Sequence, residues 1–298
     1  MPEWLFPLAP RAAGAPRPDS VVRLRLPGSA RTFTRAELGD LFTAADWYPS
    51  SHPAMPAIVG VGRRPAVFAC GYCHLPAGGG RPENSSLAGL PADYIVRQVT
   101  DFKTGARRNA LAAPHPPWDN MRRAAMNATD DEIARAAAYF SALPLPRRVR
   151  VIEVDRVPRT HVVAALRAVS PGRRDEPIGR RIIEVAADQE RHERRDERAG
   201  YIAYVPTGSV ARGRALSDDG VGGAAECESC HGPSLRGGDL GPPIAGQFPG
   251  YLMRQLVAFR NGARKGMASA SMRDMTADLS DDDMIALSAY IGSLSPRR

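Results

Sequence analysis

Cysteine, aromatic residues, lysine and long apolar runs are all scarce in this 298-residue chain. Only four cysteines occur, too few for the disulfide framework of a small secreted scaffold. Aromatics make up 6%, little ring mass for the cores of a chain long enough for two domains. No run of about 18 apolar residues is present, so no segment reads as a membrane span. Arginine far outnumbers lysine and carries a formal net charge of +8 and a pI near 9.7. No nucleic-acid recognition motif accompanies that charge, so it points to an acidic protein surface rather than to nucleic acid. The opening MPEWLFPLAPRAAGAPRP lacks a basic region followed by an apolar one, so it does not read as a secretory leader.

All four cysteines fall in two pentapeptides, CGYCH at Cys70, Cys73 and His74, and CESCH at Cys227, Cys230 and His231. Cys-x-x-Cys-His reads as a c-type haem attachment site: two thioethers anchor the porphyrin and the histidine is the first axial ligand. The motifs imply two covalently attached haem c groups, which would also supply the missing aromatic mass. Paired Cys-x-x-Cys units also occur in tetrahedral zinc sites. Here each pair is followed at once by histidine, and the pairs head separate, similar segments.

His74 and His231 stand 157 residues apart, and the same offset lays Leu87-Ala88-Gly89 on Ile244-Ala245-Gly246. It also matches Tyr94 with Tyr251, Arg97 with Arg254, Gln98 with Gln255, Phe102 with Phe259, Gly105 with Gly262 and Arg107 with Arg264. Further on the offset falls to 151, aligning Met121 with Met272, Thr129 with Ser280, Tyr139 with Tyr290 and Leu143 with Leu294. The chain is therefore a duplication, with extra residues in the first copy around Ala110 to Asp119, a stretch containing His115.

Each copy reads as helix, loop, helix. Helical spacing around residues 92–104 ends at Gly105, and Thr129 with Glu132 and Ser280 with Asp283 read as N-caps of the last helices. Between the copies VRVIEV, THVVAAL, IIEVA and YIAYV are β-prone, and the charged RHERRDER reads as a solvated face. Ser209 is placed to cap a helix leading to the second motif. Ahead of the first copy, residues 1 to about 20 read as an extended arm, Val21 to Leu26 as a strand, and Thr34 with Glu37 as a capping box before the Asp46 to Pro49 turn. The organisation expected is an N-terminal extension (1–54), a first module (55–146), a β-prone irregular insert (147–207) and a second module (208–298). The fold class is mainly α.

A sixth iron ligand must reach the opposite haem face. Met121 and Met272 occupy the same repeat position, and a soft thioether favours Fe(II) and raises the potential. Met126, Met267 and Met275 are rivals, as is His115 for the first haem. Arg97 and Arg254 are candidates to pair with propionates, solvent-facing helix arginines being the alternative. Tyr94 and Tyr251 are candidates to pack at the haem edge. His52, His161 and His192 have no repeat partner and read as ordinary histidines.

PPIAGQFPGYLMRQLVAFRNGARK and MRDMTADLSDDDMIALSAYIGSL, with their first-copy counterparts, resemble the modules of dihaem cytochromes of the c-four type, within class I cytochromes c. The resemblance covers about residues 55–145 and 210–296. It implies two tandem helical haem domains that pass single electrons in a periplasmic chain, with Met121 and Met272 as sixth ligands. Covalent haem attachment outside the cytoplasm implies a leader upstream of Met1 or already removed. It further implies a proline whose carbonyl orients the proximal histidine; Gly241-Pro242-Pro243 can supply it, with Pro243 as the candidate, whereas the first copy has Asn84-Ser85-Ser86. The insert is longer than a c-four linker, so the packing of the two haems does not follow from the resemblance.

The function expected is a carrier, or the cytochrome subunit of a dehydrogenase or oxidase system, working with redox protein partners that present an acidic face, with no nucleic acid and no transmembrane segment; association with a membrane complex is compatible with this. The alternative is a haem enzyme, peroxidase-like or acting on a small inorganic substrate at an open first haem. A third reading, an interaction protein keeping dead haem folds, is opposed by the intact ligand sets.

Overall fold

The computed structural model describes residues 3–9, 18–111, 113–172, 174–220 and 226–296. In the N-terminal extension β1 (Leu24–Arg25) pairs antiparallel with β2 (Thr32–Phe33). Then α1 (Arg35–Gly39) starts at the Thr34–Glu37 capping box that the sequence predicts. The first strand is shorter than expected because Val21 and Val22 give their amides to the Asp19 carboxylate in a turn. Residues 10–17 of the expected arm lie outside the described residues. Its beginning is not loose: Leu5 is 1% exposed and joins the core of the second repeat.

The first repeat contains α2 (Ala57–Gly60), α3 (Cys70–His74), α4 (Ala92–Thr104), α5 (Pro116–Asn127) and α6 (Asp130–Ser141). Ile95 and Phe102, seven residues apart, share the buried face of α4, and Gly105 ends it in the left-handed conformation at φ 76°. Opposite lie Ala136, Ala137 and Phe140 of α6.

The insert is ordered rather than irregular. After β3 (Val149–Val154), β4 (Arg156–Pro158), β5 (Thr160–Val163), β6 (Leu166–Val169), β7 (Asp175–Pro177) and β8 (Ile183–Ala186) come α7 (Gln189–Glu193) and β9 (Tyr201–Pro206). Five of these strands form one sheet in the order β3-β9-β8-β6-β5, with β4 and β7 paired alongside. Tyr201, Ala203 and Val205 alternate inward along β9, the period-two pattern of a strand buried on one face. The charged run around α7 is not a solvated face either: His192, Asp196 and Glu197 are buried.

The second repeat contains α8 (Ser209–Asp219), α9 (Cys227–His231), α10 (Pro249–Arg260), α11 (Ala270–Ala277) and α12 (Asp281–Ser293). Gly208, at φ 85°, is the N-cap of α8, which places Ser209 one residue inside the helix. Helices α8 and α12 cross so closely that a Cβ on Gly213 would lie 2.0 Å from the Ala286 carbonyl oxygen.

The repeats share backbone conformation as well as sequence. Positive φ recurs at the 157-residue offset in Leu75 and Gly232, Gly78 and Leu235, Gly80 and Gly237, Gly89 and Gly246, and Gly105 and Gly262. Leu75 and Leu235 thus hold a backbone that glycine holds in the other copy, a strained state kept by fully burying both side chains. The two repeats meet across an approximate two-fold axis. There Arg107 and Arg264 form an antiparallel bridge, Arg108 N–H donates to Ala263 O at 2.7 Å and Lys265 N–H to Ala106 O at 2.8 Å.

Candidate functional site

Each Cys-x-x-Cys-His pentapeptide folds as one short helix, α3 or α9, which projects both cysteines and the histidine to one side. His74 Nδ1 lies 2.9 Å from the Ser85 carbonyl oxygen, and His231 Nδ1 lies 2.8 Å from that of Pro242. Each imidazole donates from Nδ1 to a main-chain acceptor eleven residues on, which leaves the Nε2 lone pair free for a metal. The acceptor is Pro242, not Pro243, whose ring instead packs near Gly237. The first repeat needs no proline here, because a carbonyl is a carbonyl whichever residue carries it. Burial lowers the pKa of both histidines, holding them neutral as ligation requires. Burial likewise pushes the Cys70 thiol up to about 12.

A cavity of about 220 Å³ opens from Cys70, Cys73 and His74 and is walled by Ile58, Leu90, Ile95, Phe102, Ile133 and Phe140. Tyr94, His115 and Met121 also reach it. His115 is buried and meets Phe6 edge-to-face at 5.8 Å between ring centroids, so it and Met121 share this space. Met126, by contrast, is 47% exposed on the outer face of α5. In the second repeat Met272 and Met275 are half-buried on α11, while Met267 is 99% exposed.

Residues of the second repeat complete the first cavity: Tyr251, Arg254, Gln255 and Arg264 all line it. At the two-fold axis Arg107 donates to Gln98 Oε1 at 2.9 Å and Gln255 Oε1 at 2.8 Å. Arg264 mirrors this with Gln255 at 3.1 Å and Gln98 at 2.7 Å. The Tyr251 and Tyr94 hydroxyls accept from Arg107 at 3.4 Å and from Arg264 at 3.3 Å. Among the described residues no carboxylate pairs with either guanidinium. Burial, and then the neighbouring Arg264 charge, lower the pKa of Arg107. Two like charges, one half-buried and one buried, held by neutral oxygens and the faces of Phe102 and Phe259, call for anions beside them. The propionates of a haem anchored at Cys70 and Cys73 would meet that need, so the residues fit the group.

The candidate arginines divide differently from expectation. Arg97 does not reach the cavity; it pairs with Asp93 at 2.5 Å on the outer face of α4. Arg254 does reach it, but its Nη2 donates to the Pro82 carbonyl and its Nη1 to that of Leu5. Tyr251 serves the cavity of the other repeat. Arg107, Arg264, Gln98 and Gln255 carry the interface, and the signal that marks them is their match across the duplication.

Among the unpaired histidines, His52 Nε2 meets Asp46 at 3.3 Å and its Nδ1 meets the Tyr139 hydroxyl at 3.0 Å. His161 is exposed beside Ser170. His192 stacks into a buried cluster with Arg81, Glu83 and Tyr201. Burial, then Arg81, bring its pKa down to about 3. Burial works against the Glu83 carboxylate, yet Arg81 and His192 together hold it below its ordinary value.

Two Cys-x-x-Cys-His helices, each with an oriented histidine inside a duplicated helical fold, define a c-type cytochrome carrying two covalently attached haem c groups. The Cytochrome c family model matches residues 210–295. Cytochrome c4 of Azotobacter vinelandii is 30% identical over 248 residues, 82% of this chain and 91% of the relative. The thiosulfate dehydrogenase electron acceptor of Stutzerimonas stutzeri is 27% identical over 242 residues, 79% of this chain and 83% of the relative. A solved thiosulfate dehydrogenase (TsdBA) from Marichromatium purpuratum superposes with TM-score 0.50 at 27% identity, over 79% of this chain and 38% of that one. The chain belongs to the cytochrome c4 family. Among the described residues no helix is long and apolar enough to cross a membrane.

Proposed function

We propose that this protein transfers single electrons between periplasmic redox proteins, as a carrier or as the cytochrome subunit that accepts electrons from a dehydrogenase. The family supports electron transfer; the names of the thiosulfate dehydrogenase relatives support a dehydrogenase as donor. In this reading His74 with Met121, and His231 with Met272, are the axial pairs. Bound haem c supplies the one-electron couple, and the chain makes no substrate bond. The domains run 1–54, 55–146, 147–207 and 208–298, the two haem modules meeting at the Arg107–Arg264 axis.

The observation that carries this reading is the interface itself. Arg107, half-buried, and Arg264, buried, are repeat-matched and among the described residues unpaired with carboxylates, and so favour two anionic haem edges beside them. A cation pair there would favour the reduced state of a haem held beside it. Buried His115 and half-buried Met121 reach one cavity and so compete there with an exogenous ligand of the first haem.

The near-infrared spectrum of the oxidised holoprotein tests the assignment. Methionine-to-iron bands from both haems, with slow cyanide and peroxide binding, are the expected result; a high-spin haem overturns the carrier reading in favour of an enzyme. Met272→Ala should remove the band of one haem only, and Met121→Ala that of the other. If the Met121 variant leaves the spectrum unchanged and His115→Ala alters it, histidine ligates the first iron.

A further inference from the structure

The outward faces of the two haem-attachment helices occupy the same place in each repeat but have opposite surroundings. In α9 the two residues between the cysteines, Glu228 and Ser229, are exposed. Next to them runs the turn 238–241, closed by Gly238 N–H to Gly241 O at 3.0 Å. It lies directly on the motif, since a Cβ on Gly238 would come within 2.8 Å of the Cys230 carbonyl oxygen. Its tip, Asp239 and Leu240, faces solvent, with Leu240 80% exposed.

The corresponding turn of the first repeat, 81–84, has the same closure, with Arg81 N–H to Asn84 O at 3.2 Å, and adds the return bond from Asn84 N–H to Arg81 O at 2.8 Å. Its tip is covered. The Pro82 carbonyl takes a hydrogen bond from Arg254, and Glu83 is locked to Arg81 at 3.1 Å beneath His192 of α7. In α3 the residues between the cysteines are Gly71 and Tyr72. A Cβ on Gly71 would lie 2.9 Å from Ala44 of the N-terminal extension. The Arg195 guanidinium of the insert sits 3.5 Å over the Tyr72 ring and donates to its carbonyl at 2.9 Å. The extension and the insert therefore roof the first haem helix. Among the described residues nothing roofs the second.

The uncovered edge also has its own charge. Glu226, Glu228 and Asp239 are exposed around Leu240, and Asp218 lies close enough to Cys227 to raise its pKa alongside burial. Of the basic groups there, Arg214 and Asp218 cancel as a pair at 3.5 Å, which leaves Arg236, hydrogen-bonded to the Ser295 carbonyl at 3.2 Å, as one positive charge against Glu226, Glu228 and Asp239. Three exposed carboxylates against one arginine beside an exposed leucine give this edge a local sign opposite to the chain's net charge of +8.

We propose that protein partners exchange electrons with this cytochrome at the Cys227–Cys230 edge of the second haem, through a partner surface that is apolar at its centre and rimmed by lysine or arginine. The first haem then trades electrons through the second, across the Arg107–Arg264 axis. This rests on the electron-transfer reading and adds the port and the chemistry of what docks there. The net charge by itself points to an acidic partner; the local charge at the uncovered edge decides otherwise.

The test uses the holoprotein and two protein probes in stopped flow: mitochondrial ferrocytochrome c, whose haem edge is rimmed by lysines, and an acidic [2Fe–2S] ferredoxin. The basic probe's rate should fall steeply with ionic strength while the reduced ferredoxin's rises, and Glu228→Lys with Asp239→Lys should slow the basic probe by about tenfold or more. Glu193→Lys, an exposed change on α7, should leave the rate unchanged. In the same protein, amide signals of Glu228, Ser229, Asp239 and Leu240 should broaden first when hexaamminechromium(III) is added. A basic-probe rate that rises with ionic strength, or a loss of rate in Glu193→Lys but not in the double variant, overturns the port. Failure of small mediators to reduce both haems sinks the carrier reading itself; normal reduction by mediators with a protein rate indifferent to the double variant sinks only the port.

Discussion

His74 and His231 are oriented alike, by carbonyls at the same distance along the chain, and the last helix of each repeat opens with a full capping box. Away from that shared frame the repeats part. The second has an eleven-residue helix, α8, crossing α12 at glycine-limited distance, where the first has only the four residues of α2. The first recovers support from elsewhere, taking Ala44 from the extension and Arg195 from the insert. Duplication has thus kept what the haem requires and changed what the outside of each domain requires. Both copies draw on added chain, the second for its core through Leu5, Ile182 and Val205, but only in the first do the extension and the insert cover the haem-attachment helix.

Phe140→Ala is the strongest way to break the first repeat alone. The ring is 1% exposed and meets His74 edge-on at 6.2 Å, and deleting a buried phenylalanine costs about 3–5 kcal/mol. Soret circular dichroism on heating should show the first haem environment melting early while the second holds; simultaneous loss would mean that the repeats unfold as one unit.

Glu184 probes the insert's grip on the second repeat. Its carboxylate accepts from Gly250 N–H at 3.0 Å, and burial, only partly offset by Arg254, pushes its pKa up to about 7. A carboxyl whose folded pKa lies above its unfolded value of 4.5 costs nothing below that value. Its penalty grows as pH rises through the window to about 7 and is constant above. Glu184→Gln keeps an acceptor for Gly250 and removes the charge, so denaturant unfolding at pH 8 should find the variant more stable by about 3 kcal/mol. At pH 4 the two should be equal.

The two-fold axis should respond symmetrically. Arg107→Gln and Arg264→Gln each remove one positive charge beside the cavity, worth on the order of 1–2 kcal/mol at an effective dielectric of about 20. For one electron that is a fall of about 40–90 mV, and spectroelectrochemistry should find it in both variants. A shift confined to one haem would show that the axis serves the repeats unequally.

The smallest effects come from the caps. Thr129→Ala and Ser280→Ala should each cost about 1 kcal/mol, read as equal drops in denaturant midpoint when each cap is lost singly. A larger loss in the first repeat would credit the Arg63 ion pair at 2.7 Å to Glu132, which holds that carboxyl down near 2.

What could be read from the sequence was whatever depends on local spacing or on the duplication: both haem motifs, the three capping boxes, the end of α4, and the β-prone runs of the insert. Arg107 and Arg264 were visible as a matched pair but not as a site, because their meaning depends on the two copies facing each other. Arg97 and Arg254 are matched too, yet the insert and Leu5 approach only one of them, so equivalence in sequence did not become equivalence in place. The run around His192 looked solvated because its partners Arg81, Tyr72, Leu38 and Trp47 lie more than a hundred residues away.

The Arg195 contact over Tyr72 also sets an order of events. The insert closes over the helix that carries Cys70 and Cys73, so thioether formation there has to precede the packing of the insert, whereas among the described residues no such covering closes over Cys227 and Cys230.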